Sequence, residues 1–149
     1  MLRDDINSAL KEAMKSGHAR RVSTLRLINA AVLERETKGA ERVTLSDAEI
    51  VDVMGKMVKQ RQESLDIYEK AGRTDLAAQE REEIEIISAY LPKQMSDIEA
   101  AAAISALIKE LGAATIKDMG RTMAALKQRF SGQIDTAKAS AQIKKLLGG

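Results

Sequence analysis

Tyr90-Leu91-Pro92-Lys93-Gln94 holds the only proline in a chain of 149 residues, and on both sides of it the sequence reads as amphipathic helix. Proline lacks a backbone donor and disfavours helix in the residue before it, so a lone proline flanked by long helix-forming stretches marks a boundary. The chain therefore reads as two all-helical pieces hinged at Pro92. Residues 1–93 form an N-terminal subdomain of about four helices, and residues 94–149 a C-terminal three-helix bundle.

Working back from the proline, Leu76, Glu80, Ile84, Ile87 and Leu91 share one face of a fourth helix, with Thr74 or Asp75 placed to cap it. Gly72 ends the helix before it, whose stripe is Ile50, Met54, Met57, Arg61, Leu65 and Tyr68. Ser46-Asp47-Ala48-Glu49 has the spacing at which the serine oxygen and the glutamate three residues on satisfy free amides reciprocally, so that helix starts there. Arg61 and Glu80 interrupt the two apolar stripes. They predict a pair between antiparallel helices, set against a simpler arrangement in which each lies along the core edge with its charge in water. Further back, Val22, Leu25, Ile28 or Asn29, Val32 and Leu33 mark a second helix that starts at about Ala19 and runs until Thr37-Lys38-Gly39, and Leu2, Ile6, Leu10, Ala13 and Met14 a first one, ended at Ser16-Gly17-His18 by a glycine cap.

Beyond the proline, Ser96-Asp97-Ile98-Glu99 repeats the capping spacing and opens a fifth helix that runs to Leu111-Gly112. Thr115 is placed to cap a sixth, with Ile116, Met119, Met123, Leu126 and Phe130 inward. Gly132 breaks it, and Asp135 caps a short last helix that points Ile143, Leu146 and Leu147 at the core.

At this length the chain buries enough surface to be stable without staples. It has no cysteine, which removes disulfides, thiolate nucleophiles and cysteine metal sites together. Two tyrosines, one phenylalanine and no tryptophan, with abundant Ala, Leu, Ile, Lys, Glu and Arg, favour an all-α fold. Met1-Leu2-Arg3-Asp4-Asp5 has no apolar leader character, and no stretch approaches the ~18 apolar residues that span a bilayer. The expected location is cytoplasmic, with no membrane partner.

Little in the sequence resembles catalytic machinery. His18, the only histidine, follows a glycine in a turn and has no nucleophile spaced to it. The run Glu80-Arg81-Glu82-Glu83-Ile84-Glu85 interleaves both signs, as an ion-paired helix surface does, and offers no metal site. No glycine-rich phosphate loop or dinucleotide fingerprint is present, so no cofactor is expected. There is no catalytic residue to name and no residue pattern that specifies an oligomeric state.

Charge is more informative. Residues 96–149 carry eight Lys/Arg against five Asp/Glu, a net of +3, while the residues before them carry sixteen against seventeen, a net of −1. From Lys117 onward the balance is seven to two, or +5. Lys117, Arg121, Ala125 and Arg129 recur every four residues, which puts three cations in one stripe opposite Met119, Met123 and Phe130. Lys138 and Lys145, with Lys144 beside them, line the outer face of the last helix. Such stripes suit phosphates, and without stacking aromatics they suit the backbone of a folded RNA better than single-stranded bases. The alternative is a helical protein-interaction module in which the basic tail serves solubility alone.

Gln60-Arg61-Gln62-Glu63-Ser64, Ala71-Gly72-Arg73-Thr74-Asp75-Leu76, Glu83-Ile84-Glu85 and Tyr90-Leu91-Pro92-Lys93-Gln94, followed by Lys117-Asp118-Met119-Gly120 with Met123, resemble the GatB/YqeY family, specifically its free-standing YqeY-like members. The resemblance covers essentially the whole chain and implies two all-α subdomains. It also implies kinship with the tail of the B subunit of the glutamine-dependent Asp/Glu-tRNA amidotransferase, where the module engages tRNA. Carbon-nitrogen ligase activity with glutamine as amido-N-donor is associated with that system. Its ATP-binding, carboxylate-activating and glutaminase parts lie outside the shared tail, so no independent catalysis is expected here. The partners implied are tRNA and proteins of tRNA aminoacylation or amidotransfer. Arg61, Glu80, Tyr90, Pro92, Asp118, Gly120, Gly132 and Asp135 are the motif positions. The chain departs from the family pattern at Gln133, where a basic residue usually follows the turn glycine, and at Ala124, where a second glycine is usual. The expectation of RNA contact therefore rests on Lys117, Arg121, Arg129, Lys138, Lys144 and Lys145.

Overall fold

The computed structural model describes Met1 to Gly148, and Gly149 lies outside the described residues. Among the described residues the chain is all-α: seven helices and one 3-10 turn, without a strand. It divides into two compact units, Met1–Leu91 and Pro92–Gly149.

In the first unit α1 (Leu2–Ser16), α2 (Ala19–Thr37), α3 (Asp47–Lys70) and α4 (Thr74–Ser88) enclose a core built on Ile6, Leu25, Ile28, Ile50, Met54 and Ile87. Gly17 sits at φ 73, a left-handed conformation that lets α1 end and α2 begin within two residues. Ser46 and Glu49 close the reciprocal box that starts α3. The long turn before it is held from below by Glu36: its buried carboxylate accepts from the Leu45 N–H at 2.9 Å and from the Arg3 guanidinium.

The start of α4 differs from expectation. Neither Thr74 nor Asp75 caps it; Arg73 is the N-cap, without a side-chain hydrogen bond. Gly72, at φ 71, folds the end of α3 back so that the Arg73 N–H already bonds the Tyr68 carbonyl at 2.9 Å. The α3 end and the α4 start share one turn, which leaves no extended residue to present a capping oxygen. The inward face of α4 is also rotated: Ala77, Glu83 and Ile87 are buried, and Ile84 is only half-buried.

The second unit packs α5 (Asp97–Leu111), α6 (Met119–Arg129) and α7 (Thr136–Leu146) around Ile104, Leu107, Leu126, Ala139, Ile143 and Leu147. Ser96 and Glu99 close the second reciprocal box. Two residues expected inward face out. Ile116, 46% exposed, lies in a 3-10 turn (Ile116–Asp118) whose tighter winding takes it off the stripe of Met119 and Met123. Leu146, 52% exposed, flanks the ridge of Ala139, Ile143 and Leu147, spaced four residues apart, that packs into the core. The loop ahead of α7 is tied to the start of the unit: the Met95 N–H donates to the Gln133 carbonyl at 2.9 Å, and the Gln94 amide donates to the Gly132 carbonyl at 2.6 Å.

Candidate functional site

The cation stripe on α6 begins at the turn that precedes it. The Asp118 carboxylate accepts from the backbone N–H groups of Ala114 and Thr115 at 2.9 and 3.1 Å, and those bonds, helped by Arg121, hold it below the ordinary carboxylate range. Arg121 donates to Asp118 at 3.1 Å and to the Leu111 carbonyl at 2.8 Å. Two turns on, Arg129 makes a two-pronged pair with Glu110 at 2.5 and 2.7 Å. That hydrogen bonding keeps Glu110 ionised below the ordinary range and raises Arg129.

Both arginines of the stripe thus fasten α6 to the last turn of α5, while remaining about half exposed. Sequence spacing places residues on a face of their own helix; it does not show that Glu110 and the Leu111 carbonyl come opposite that face. The remaining cations behave differently. Lys117, Lys138, Lys144 and Lys145 are exposed and make no ion pair with a described residue, and the same holds for Lys127, which lies off the four-residue stripe. Lysines, rather than the arginines, are the cations here with no carboxylate already on them. On α7 three lysines stand on a helix with no acid between Thr136 and Leu146, and Asp135 caps it by accepting from Ala137 and Lys138 N–H at 2.9 and 3.3 Å. Gly132, at φ 74, makes the turn before it.

In the first unit the interrupted stripes do meet, with a different partner. Arg61 reaches Glu83, not Glu80, at 2.9 Å, and also donates to the Met57 carbonyl at 3.1 Å. Gln79 donates to the other Glu83 oxygen at 3.3 Å. The rotation of α4 brings Glu83 to the buried position and leaves Glu80 Oε2 buried with no hydrogen-bond partner among the described residues. Burial, and then the neighbouring Glu83 charge, raise the Glu80 carboxyl; Arg61 only partly offsets them. The glutamate run otherwise pairs outward, Glu82 with Arg20 at 3.1 Å. Tyr90 accepts from Arg21 at 3.4 Å, and the Pro92 carbonyl accepts from Gln94 at 3.1 Å. Gly120 is exposed, and a methyl group on its Cα would meet nothing within 4 Å, so close helix packing does not explain that glycine.

Among described residues no helix is long and apolar enough to cross a membrane. Three relatives place the chain among known proteins. It is 31% identical over 93 residues to an uncharacterized protein of Schizosaccharomyces pombe, a match that covers 62% of this chain and 74% of that one. It is 27% identical over 139 residues, 93% of its length, to the mitochondrial Altered inheritance of mitochondria protein 41 of Candida glabrata, and covers 65% of that protein. With the protein of the same name from Eremothecium gossypii it shares 33% identity over 82 residues, 55% of this chain and 44% of the relative. The chain spans less than two thirds of either mitochondrial relative. Their mitochondrial names overturn the cytoplasmic location expected from sequence. The physical reason is that mitochondrial leaders are amphipathic and arginine-rich, so the lack of an apolar leader carries no weight against that compartment. The family profile described as Yqey-like protein matches residues 3–147, and the chain belongs to that family.

Proposed function

We propose that this chain is a non-catalytic helical adaptor whose C-terminal unit binds the phosphate backbone of a folded RNA, with tRNA as the ligand its family resemblance suggests. The observation that carries the reading is α7: Lys138, Lys144 and Lys145 are exposed on a helix without an acid, in a stretch whose charge from Lys117 onward is +5. Lysines held by no internal carboxylate exchange bound counterions for phosphates at no cost in broken ion pairs. Arg121 and Arg129 contribute through the field they add and through the α5–α6 geometry they hold, since a phosphate would have to displace Asp118 or Glu110.

Fluorescence anisotropy of labelled bulk tRNA, titrated with the purified chain at two salt concentrations, tests this. Engagement of three or four phosphates makes the affinity fall by about two orders of magnitude between ~50 and ~200 mM salt. Replacing Lys117, Lys138, Lys144 and Lys145 together by Gln is expected to remove most of the binding and flatten the salt slope while helicity by circular dichroism stays unchanged. Undiminished binding in that variant, or none by the parent chain at ~50 mM salt, rejects the RNA reading.

A further inference from the structure

Cations also gather at the corner where α1 turns into α2, in the half of the chain whose overall charge hides them. Residues 11–26 hold Lys11, Lys15, Arg20, Arg21 and Arg26 against one acid, Glu12, although residues 1–95 are net −1. Arg20 is committed to Glu82, and Arg21 leans on the Tyr90 hydroxyl. Lys11, Lys15 and Arg26 are exposed and form no ion pair with a described residue.

Beside these cations lies an open groove of about 430 Å³, lined by Met14, Gly17, Ala19, Val22, Ser23 and Arg26. The α2 residues in it fall at the helical spacing i, i+3, i+4, i+7, so the groove follows two turns of one helix face. Met14 is 53% exposed on the other wall, and Gly17 carries no side chain to close the mouth. Arg26 stands at the edge of this apolar floor, its Nη2 3.9 Å from the Met14 sulfur. Lys11 and Lys15 lie within one turn of Met14 on α1. An aliphatic floor with no aromatic gives a nucleotide base nothing to stack on. It does suit an aliphatic side chain, and a methionine adapts its shape to whichever one arrives.

We propose that the α1–α2 groove docks an acidic segment of a partner protein, with an aliphatic anchor between Met14 and Val22 and carboxylates met by Arg26, Lys11 and Lys15. Charge complementarity selects the flanks and the apolar floor selects the anchor, the division of labour seen when amphipathic segments lie in helical grooves. The site is small, so the contact is weak and reversible.

A fluorescein-labelled helical peptide of about 14 residues, with leucines three and four apart and glutamates between them, is the probe. Anisotropy with the full chain is expected to give a dissociation constant of roughly 10–100 µM. Met14→Glu, and separately the double change Lys15→Glu with Arg26→Glu, should each weaken it at least about tenfold, with unchanged circular dichroism because all three positions are exposed. A peptide with its leucines changed to serine, and another with its glutamates changed to glutamine, should each lose binding. Equal binding by the serine peptide, or indifference to the protein variants, overturns the proposal. So does loss of tRNA affinity in the Lys15/Arg26 variant without peptide binding by the parent chain, which would make the corner a nucleic-acid surface. Self-association abolished by Met14→Glu would overturn it too, in favour of a second copy as the occupant.

Discussion

Two glutamates in the first unit carry opposite pH signatures, and their surroundings explain why. Glu36 accepts from the Leu45 N–H and from Arg3, which together hold its carboxyl below the ordinary range. A carboxyl lowered on folding contributes stability that is present above its unfolded pKa and is lost as pH falls through the folded one. Glu80 is the reverse: burial and the Glu83 charge raise it, so folding is opposed by its ionisation, and the penalty appears as pH rises through the window above the ordinary carboxylate range. Glu80→Gln is therefore expected to raise Tm at pH 7 and to leave it unchanged near pH 4. Glu36→Gln should lower Tm at pH 7 by more than it does in acid. Thermal melts of the two variants across that pH range check both signs, and a Glu80→Gln protein less stable than its parent at neutral pH would mean the carboxylate is satisfied in solution.

At the level of helices, most stops and starts are local chemistry. Ser46 with Glu49 and Ser96 with Glu99 close reciprocal caps, and glycines at 17, 72 and 112 end helices in left-handed conformation. Ser46→Ala and Ser96→Ala should each cost about 1 kcal/mol, against a few tenths for Thr74→Ala, because Thr74 caps nothing; urea denaturation of the three variants separates these values. The same chemistry explains what was readable in advance. A cap or a glycine stop needs only residues a few positions apart, so the end of α1, the limits of α3 and α5 and the role of Asp135 were visible in the sequence. What could not be read depended on the facing helix. The rotation of α4 sets Glu83 opposite Arg61 on α3, and the loss of Arg121 and Arg129 as uncommitted cations follows from Glu110 and Leu111 lying across from them. The basic corner at residues 11–26 had a local signal, but averaging charge over the whole first half concealed it.

At the scale of the molecule, the buried residues fall into two separate sets, one drawn entirely from before residue 92 and the other from after it. A core of Ile104, Leu107, Leu126, Ala139, Ile143 and Leu147 around three helices is of the size that folds alone with modest stability. A fragment of residues 92–149 is therefore expected to show helical circular dichroism and a cooperative melt at a lower temperature than the first unit; a non-cooperative melt would show that its core needs the rest of the chain. The two-residue turn at Gly17 and the shared turn at Gly72 also bear on synthesis. Helices joined so tightly find their neighbours after very short searches, and packing of such local contacts takes microseconds to milliseconds. Translation adds about 5–20 residues per second. Each helix hairpin of the first unit thus has ample time to form before the ribosome has read the codons for the lysines of α7, and the cation-rich helix emerges behind hairpins that have already closed.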